Sequence, residues 1–445
     1  MRKLRLSLIV PAAVLAPCAA QPAPDLRSIL ERLDRLEQEN RLLREEVRAL
    51  RETVTRGTPL PETPSLEERV AIHERRIDEH AQTKLEASQR FPIRVTGMVL
   101  FNAFVNSKQN GGSDNPTLAS LARGGAAGGA TLRQTVLGLD YNGPETFAGG
   151  KVRGSLFIDF FGGTSQPLNN LPRIRTAAVS IDWKTRSLTV GQDKPLIAPR
   201  EPTSLAQVGV SPLTGAGNLW LWEPQVRFEQ RFQAGDQSTL RAQLALVQTT
   251  ENAAGVPAAF ASTLERYRPG LEGRFEWSYA PGDGRRFEIA PGFHSSDTHV
   301  AATSVPSRVF TLDWLIAPWR PLEFTGAFFT GRNVAHFGTG GIRQGFSVLG
   351  ARNVLPVHAR GGWGQLNITA TDRLSFHLMS GWHDDRNADL LSGGIARNHA
   401  VGANVFFRLA PNVTTSFEAL QVRTTYLGPG TRLNNHYDLG IAYLF

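Results

Sequence analysis

From Phe91 to Phe445 apolar and polar residues alternate with a period of two, in runs of about ten separated by turn-forming residues. That period places successive side chains on opposite faces of a strand. The runs predict sixteen strands, at roughly 93–105, 131–141, 151–161, 173–182, 187–192, 224–232, 239–249, 270–279, 286–295, 307–317, 322–332, 361–370, 374–384, 397–409, 413–423 and 435–445. Many reach the length a tilted strand needs to cross a bilayer. Short connections fall at Asn142-Gly143-Pro144, Asp182 to Arg186, Ala234-Gly235-Asp236, Pro281 to Gly284, Pro318 to Pro321, Thr371-Asp372-Arg373 and Pro411-Asn412, and long ones fill the other gaps. This alternation predicts an all-β transmembrane barrel of about sixteen antiparallel strands over residues 91–445, with tight turns at one rim, loops at the other, and both barrel termini at the turn rim.

The two faces can be assigned in the clearer strands. Tyr437, Leu439, Ile441, Tyr443 and Phe445 suit lipid, while His436, Asp438, Gly440 and Ala442 suit a wet lumen. Val226, Phe228 and Phe232 oppose Gln225, Arg227, Glu229 and Arg231, and in 374–382 the lumen side is Ser375, His377, Met379 and Gly381. Val413 to Arg423 alternates less cleanly, because Glu418 shares a face with Leu420 and Val422. That mixture is expected at a subunit contact or near the rim.

A different periodicity precedes the barrel. Leu26, Ile29, Leu33, Leu36, Asn40, Leu43, Val47, Leu50 and Val54 follow a 3,4 spacing, the seam of an α-helical coiled coil within residues 21–57. Arg32 with Glu37, Glu39 with Arg44, and Glu46 with Arg51 supply complementary flanks, so the seam predicts self-association. Asn40 at a core position fixes register and is best attested in dimers. Pro59, Pro61 and Pro64 then end the helix. Ser65 to Glu68 has capping-box spacing and restarts one within the 58–90 linker; its His73 and His80 read as solvated positions. Residues 1–20 read as a secretory signal peptide, with Arg2, Lys3 and Arg5 before the apolar run Leu6 to Leu15, and cleavage is expected after Ala20. Lipidation at Cys18 is disfavoured by Pro17.

Composition changes this picture little. The formal charge is +8, no internal apolar run is long enough for a membrane helix, and the only cysteine lies in the leader. Catalysis lacks support: His383-Asp384-Asp385 is the one tight acid-base cluster, and Gly345 to Gly350 misses nucleophile-elbow spacing. The glycine-rich 124–129 stretch lacks a following P-loop lysine and reads as a loop tip. No enzyme, cofactor, metal or nucleic-acid partner is expected.

The leader, coiled coil, sixteen amphipathic strands and terminal Tyr443-Leu444-Phe445 together resemble an outer-membrane porin. They are most similar to the coiled-coil-bearing DcaP-like porins and more distantly to the phosphate-selective porins, although no dense Arg ladder is present. The resemblance implies a trimer in the outer membrane of a Gram-negative cell, with the coiled coil in the periplasm. Contact with outer-membrane lipid and lipopolysaccharide and passage of small anionic or neutral solutes are implied too. Phe445 resembles the signal read by the outer-membrane insertion machinery.

The Pro- and Gly-punctuated stretch Gly191 to Gln225 follows the fifth strand, where general diffusion porins fold a long loop inward. A connection this long inside a compact domain is usually functional. The expected constriction is loop 193–223, with Asp193, Lys194, Arg200 and Glu201 facing Arg227 and Arg231, and with Val208-Gly209-Val210 packed on the wall. Pairing of the acids with the cations predicts only modest anion preference. Arg332, Arg343, Arg352 and Arg360, with His336 and His358 and no carboxylate between them, form a basic outer-mouth loop suited to anion entry or to lipopolysaccharide. The alternative function is a structural barrel tethered through its periplasmic coiled coil.

Overall fold

The computed structural model describes residues 92–163, 170–252, 256–338 and 344–445. The leader, the coiled-coil seam from Leu26 to Leu50 and the second helix lie outside the described residues. Nineteen strands follow in order. They are β1 (Ile93–Asn106), β2 (Ala127–Thr131), β3 (Val136–Thr146), β4 (Gly150–Gly162), β5 (Leu171–Asp182), β6 (Arg186–Asp193), β7 (Glu223–Gln233), β8 (Ser238–Thr250), β9 (Tyr267–Gly282) and β10 (Arg285–Val300). Then come β11 (Thr303–Trp319), β12 (Leu322–Arg332), β13 (Phe346–Gly350), β14 (Asn353–Pro356), β15 (His358–Thr369), β16 (Leu374–Asp385), β17 (Ile395–Ala410), β18 (Val413–Tyr426) and β19 (Gly430–Leu444).

Every barrel strand pairs antiparallel with its neighbours, and β1 closes the sheet. Met98↔Leu444 through Asn106↔His436 joins it to β19, and Ile93↔Tyr141 through Met98↔Val136 joins it to β3. β2 continues the line of β3 along the upper part of β1, so the two count as one interrupted strand and the barrel has sixteen positions. The sequence predicts one unbroken strand at 131–141. The break arises because Leu132 to Thr135 leave the ladder, Thr135 accepting a hydrogen bond from the Leu100 amide. Such an irregularity re-aims side chains, and here it turns Arg133 and Gln134 inward.

Closure leaves no sheet edge for water or lipid to compete for, and the apolar face points outward. Phe228, Phe310, Phe417 and Ile441 are 46%, 47%, 49% and 44% exposed, whereas the inward Glu272, Asp313, Gln365 and Asp438 are buried. At the turn rim, exposed Phe147, Trp277, Trp319, Tyr443 and Phe445 form an aromatic ring of the kind that sits at a membrane interface.

Two expected long loops are turns. β10 and β11 extend to a two-residue connection in which Ala301 and Ala302 both take positive φ, 50° and 59°, and β18 and β19 join through 427–429. Pairing simply continues past the height of the apolar band. The loop expected from Arg332 to Arg360 ends at Val357, because β15 begins at His358, and it contains the hairpin β13–β14, whose Phe346 and Val348 pack with Leu264, Val300, Ala301 and Val305.

Candidate solute channel

β6 ends at Asp193, and the chain re-enters the sheet at Glu223, which pairs with Asp193. Between them Pro195, Pro199, Pro202 and Pro212 remove backbone donors and deny the segment a regular ladder. Its remaining backbone groups need partners, and inward side chains of the wall provide them. Glu272 of β9 accepts from the Leu196 amide at 2.7 Å. Gln365 of β15 accepts from Thr203 N at 2.7 Å and donates to Thr203 O at 3.0 Å. Asn102 of β1 donates to Leu205 O at 2.9 Å, and Asn398 of β17 donates to Gly215 O at 2.9 Å. Gln134, aimed by the β2–β3 break, donates to Ala206 O and accepts from Val208 N and Gly209 N. The segment therefore spans the lumen and is fastened on opposite walls.

Two apolar pads complete the attachment. Leu213 and Ala216 pack with Trp363, Met379, Ala400, Leu420 and Val422, while Ile197, Ala198 and Leu219 pack with Val309, Phe329 and Phe337. Leu420 and Val422 thus face the lumen beside Glu418; their mixed strand serves the inward segment, not a subunit contact or the rim. The approach is close enough to demand glycine. A Cβ on Gly217, at φ 99°, would meet Gly362 O at 2.2 Å, and one on Gly381 would meet Ala216 O at 2.2 Å. The expected Val208-Gly209-Val210 contact is polar in character, since Arg175 donates to Val208 O at 2.7 Å and Arg173 donates to Gly209 O.

No family profile matches the chain, and no curated protein matches its sequence. Solved structures do match in shape. The outer membrane channel DcaP of Acinetobacter baumannii superposes with a TM-score of 0.65 at 16% identity, covering 79% of this chain and 97% of that one. The anion-selective porin from Comamonas acidovorans gives 0.52 at 12% identity, covering 79% and 99%. Pseudomonas putida OprB gives 0.50 at 10% identity, covering 82% and 97%. The fold is that of an outer-membrane porin.

Within this porin barrel the expected channel charges separate into pairs. Lys194 Nζ lies 3.2 Å from Glu201, and Arg227 lies 3.2 Å from Asp193. Arg231 sits toward the β7–β8 turn, 2.7 Å from Glu229, away from the segment. Arg200 does not face Arg227: it reaches Asp313 of β11 at 2.7 Å and also bonds Glu288 of β10. Arg274 bonds both Asp313 oxygens at 2.8 Å, so Arg200 belongs to a buried ionic anchor. On the turn side of the segment a cavity of about 590 Å³ is lined by Arg94, Asp140, Arg153, Asp182, Asp193 and Arg227. Three arginines and three aspartates line it, with Asp182 and Asp193 on the neighbouring strands β5 and β6.

Sequence reasoning missed one cluster. Arg173 and Arg175 of β5 both bond Asp159 of β4, at 2.7 and 3.2 Å. Arg133 stacks 4.4 Å from the Phe161 ring, Arg173 lies 5.4 Å from it, and both β5 arginines lie over Trp222 at 5.1 and 4.8 Å. Two guanidiniums thus share the fully buried Asp159, and the third, Arg133, has Asp114 at 3.9 Å. The available signal was the Arg-x-Arg spacing at 173 and 175; Arg133 joins only through the strand break.

The outer-mouth basic loop is rearranged. Inward Val309, Phe329 and Trp363 fix the parity of β11, β12 and β15, so Arg332, His358 and Arg360 point out of the barrel. Arg352 is exposed at the β13–β14 turn, and Arg343 lies outside the described residues. The absence of carboxylates holds only along the chain, because Asp384 and Asp389 from the next hairpin reach Arg360 and His358 at 3.0 and 2.8 Å. His336 is buried beside His294 and Phe337, and burial followed by the His294 charge depresses its pKa well below the usual histidine value. His383 bonds Asp385 at 2.8 Å with both buried in the wall.

Proposed function

We propose that this protein is a passive diffusion channel of the Gram-negative outer membrane, narrowed by segment 193–223 and carrying small hydrophilic solutes with a modest anion preference. The observation that carries the proposal is the segment itself, hydrogen-bonded to β1, β9, β15 and β17 across a polar-lined barrel. A barrel that served only as a tether has no use for such a crossing. Preference for anions is supported by Arg173 and Arg175, which share the single carboxylate Asp159, and by Arg133 over the adjoining Phe161 ring. It is kept modest by the Lys194–Glu201 and Asp193–Arg227 pairs, which supply field but little net charge. Self-association through a periplasmic coiled coil is part of the same reading and rests on the heptad seam, while the trimeric state rests on the resemblance to DcaP-like porins.

Reconstitution of the full chain into planar bilayers tests the proposal. Discrete conductance steps in symmetric potassium chloride, and a zero-current potential of anion-selective sign in a salt gradient, are expected. Correctly folded protein without conductance would return the tethered structural barrel to first place.

A further inference from the structure

Behind residues 203–205 of the inward segment, three neighbouring strands present polar side chains to the lumen in one row. Asn404 of β17 lies directly opposite Glu418 of β18, and Glu418 lies opposite Asp438 of β19. Both acids are 1% exposed, and like charges placed directly opposite destabilise a sheet. The buried lumen acids Asp159, Glu276, Glu288 and Asp313 each meet arginine. Glu418 and Asp438 meet no arginine, lysine or histidine among the described residues, and their hydrogen bonds come from neutral donors. Glu418 Oε2 accepts from Ser204 Oγ at 2.5 Å and from Asn404 Nδ2 at 3.0 Å, while Asp438 Oδ1 accepts from Asn102 Nδ2 at 2.9 Å. The second oxygen of each acid, Glu418 Oε1 and Asp438 Oδ2, is buried without a partner.

Two neutral oxygens beside them are in the same condition. Asn404 Oδ1 and Ser416 Oγ are buried and unpartnered, on side chains 4% and 3% exposed. Ser416 lies opposite Gly440, the inward position after Asp438, and its hydroxyl leans over that glycine: a Cβ there would meet Ser416 Oγ at 2.5 Å, with Leu205 Cβ and Asn102 Nδ2 at 3.4 and 3.6 Å. Four oxygens from three strands thus converge under Leu205, stripped of water and without a donor, a condition that a positive ion relieves. An all-oxygen donor set selects a hard cation, and two carboxylates match a divalent charge. Calcium accepts carboxylate, amide and hydroxyl oxygens in irregular geometry, whereas magnesium holds on to its waters. We propose that Asn404, Ser416, Glu418 and Asp438 form a calcium site in the barrel wall. The ion fastens the inward segment, because the same side chains hold it: Ser204 bonds Glu418, Asn404 donates to Thr203 O at 2.9 Å, and Asn102 bonds both Asp438 and Leu205 O. No ligand spacing announces the site along the chain, since its members meet only across strands. Ion binding rests on the fold alone, and its effect on the pore rests on the channel reading.

The test refolds the full-length chain in detergent from denatured, lipopolysaccharide-free protein, in calcium, in magnesium or with a chelator, and counts the metal left after desalting by mass spectrometry of the elements. Wild type is expected to retain about one calcium per chain and to lose its compact gel form several degrees higher when refolded with calcium than with chelator. The E418Q/D438N variant keeps the side-chain shapes without the charges and is expected to lose both the ion and the shift. Heat-modifiable migration reports whether it folded; if it does not, S416A, which removes one neutral ligand and leaves the acids, decides by a several-fold loss of retention. Wild type without calcium, or undiminished calcium in a folded E418Q/D438N or in S416A, overturns the site, the last two meaning an adventitious ion held elsewhere. Equal retention of magnesium overturns the choice of ion. A protonated-carboxyl infrared band in calcium-refolded wild type that disappears in E418Q overturns the site in favour of a proton shared by the two acids. Conductance without bound calcium defeats this inference alone, and bound calcium without conductance defeats the channel reading alone.

Discussion

Arg200 Nε lies 2.7 Å from Asp313 Oδ1, joining the first part of the inward segment to the wall strand β11. Asp313 is buried and also receives Arg274, so the segment is bonded into an ionic network that the barrel builds on its own. Removing one partner from such a buried network costs about 3–5 kcal/mol, because an uncompensated charge stays behind. Replacing Arg200 with Met is therefore expected to release this end of the segment while the barrel remains heat-modifiable. Single-channel records would show a larger, noisier conductance. Unchanged records would mean that the Gln365, Gln134 and Asn102 attachments suffice.

The arginine cluster on β4–β5 predicts selectivity. R173E/R175E replaces two cations with two anions beside Asp159, so the zero-current potential in a tenfold salt gradient is expected to move to the cation-selective side. K194E and R227E should each produce a smaller move, since each cation already sits 3.2 Å from a carboxylate. An equal shift from all three variants would place the field elsewhere.

Phe445 closes the sheet as well as ending it. Its carbonyl accepts from Gly97 N at 3.1 Å and from Thr96 Oγ1 at 3.2 Å, and its own amide donates to Gly97 O at 3.2 Å. Deleting it is expected to lower the outer-membrane level several-fold and to lower the temperature at which the barrel loses its compact gel form. Wild-type amounts of the truncated chain in membrane fractions would count against this role.

Glu251, in the loop after β8, predicts a pH dependence. Burial pushes its carboxyl up to about 7, against the opposing Asn333 hydrogen bond. A raised acid pKa means the folded loop holds a proton that the opened loop releases. The associated stability is present in full below about 4.5 and is lost as pH rises through about 7. The shift corresponds to about 3 kcal/mol as an order of magnitude. Glu251→Gln keeps an acceptor for Asn333 without the charge. Protection of the 333–338 amides, taken as the exchange rate relative to the intrinsic base-catalysed rate at each pH, should thus fall between about pH 5 and 7 in wild type and stay flat in the variant; parallel pH profiles would refute the assignment.

The heptad seam predicts that changing Leu33, Leu36 and Leu43 together to Asp weakens the oligomer and leaves the barrel folded. Gel migration of unheated samples distinguishes this from a barrel that trimerises alone, in which case the oligomer band persists.

All sixteen barrel strands and six of the seven expected tight turns were legible along the chain, because a barrel wall between lipid and lumen imposes a strict two-residue period on each segment; the turn expected at Asn142-Gly143-Pro144 is a bulge inside β3, which pairs on to Thr146 and turns at Phe147–Gly149. The breaks in that pattern carried the information that sequence could not decode. Leu420 and Val422 look out of place beside Glu418 until Leu213 and Ala216 are seen against them. Composition and strand order alone marked 193–223 as the unusual connection. Which of its charges remain open to the lumen depended on partners far away in sequence: Arg200 meets Asp313 across 113 residues, and Arg133 joins Arg173 only where β2 and β3 part. The outward placement of Arg332 and Arg360 likewise exists only in register. One loop's worth of arginines spreads over separate strands, and strand parity, fixed by inward packing at Val309, Phe329 and Trp363, turns them to the outside.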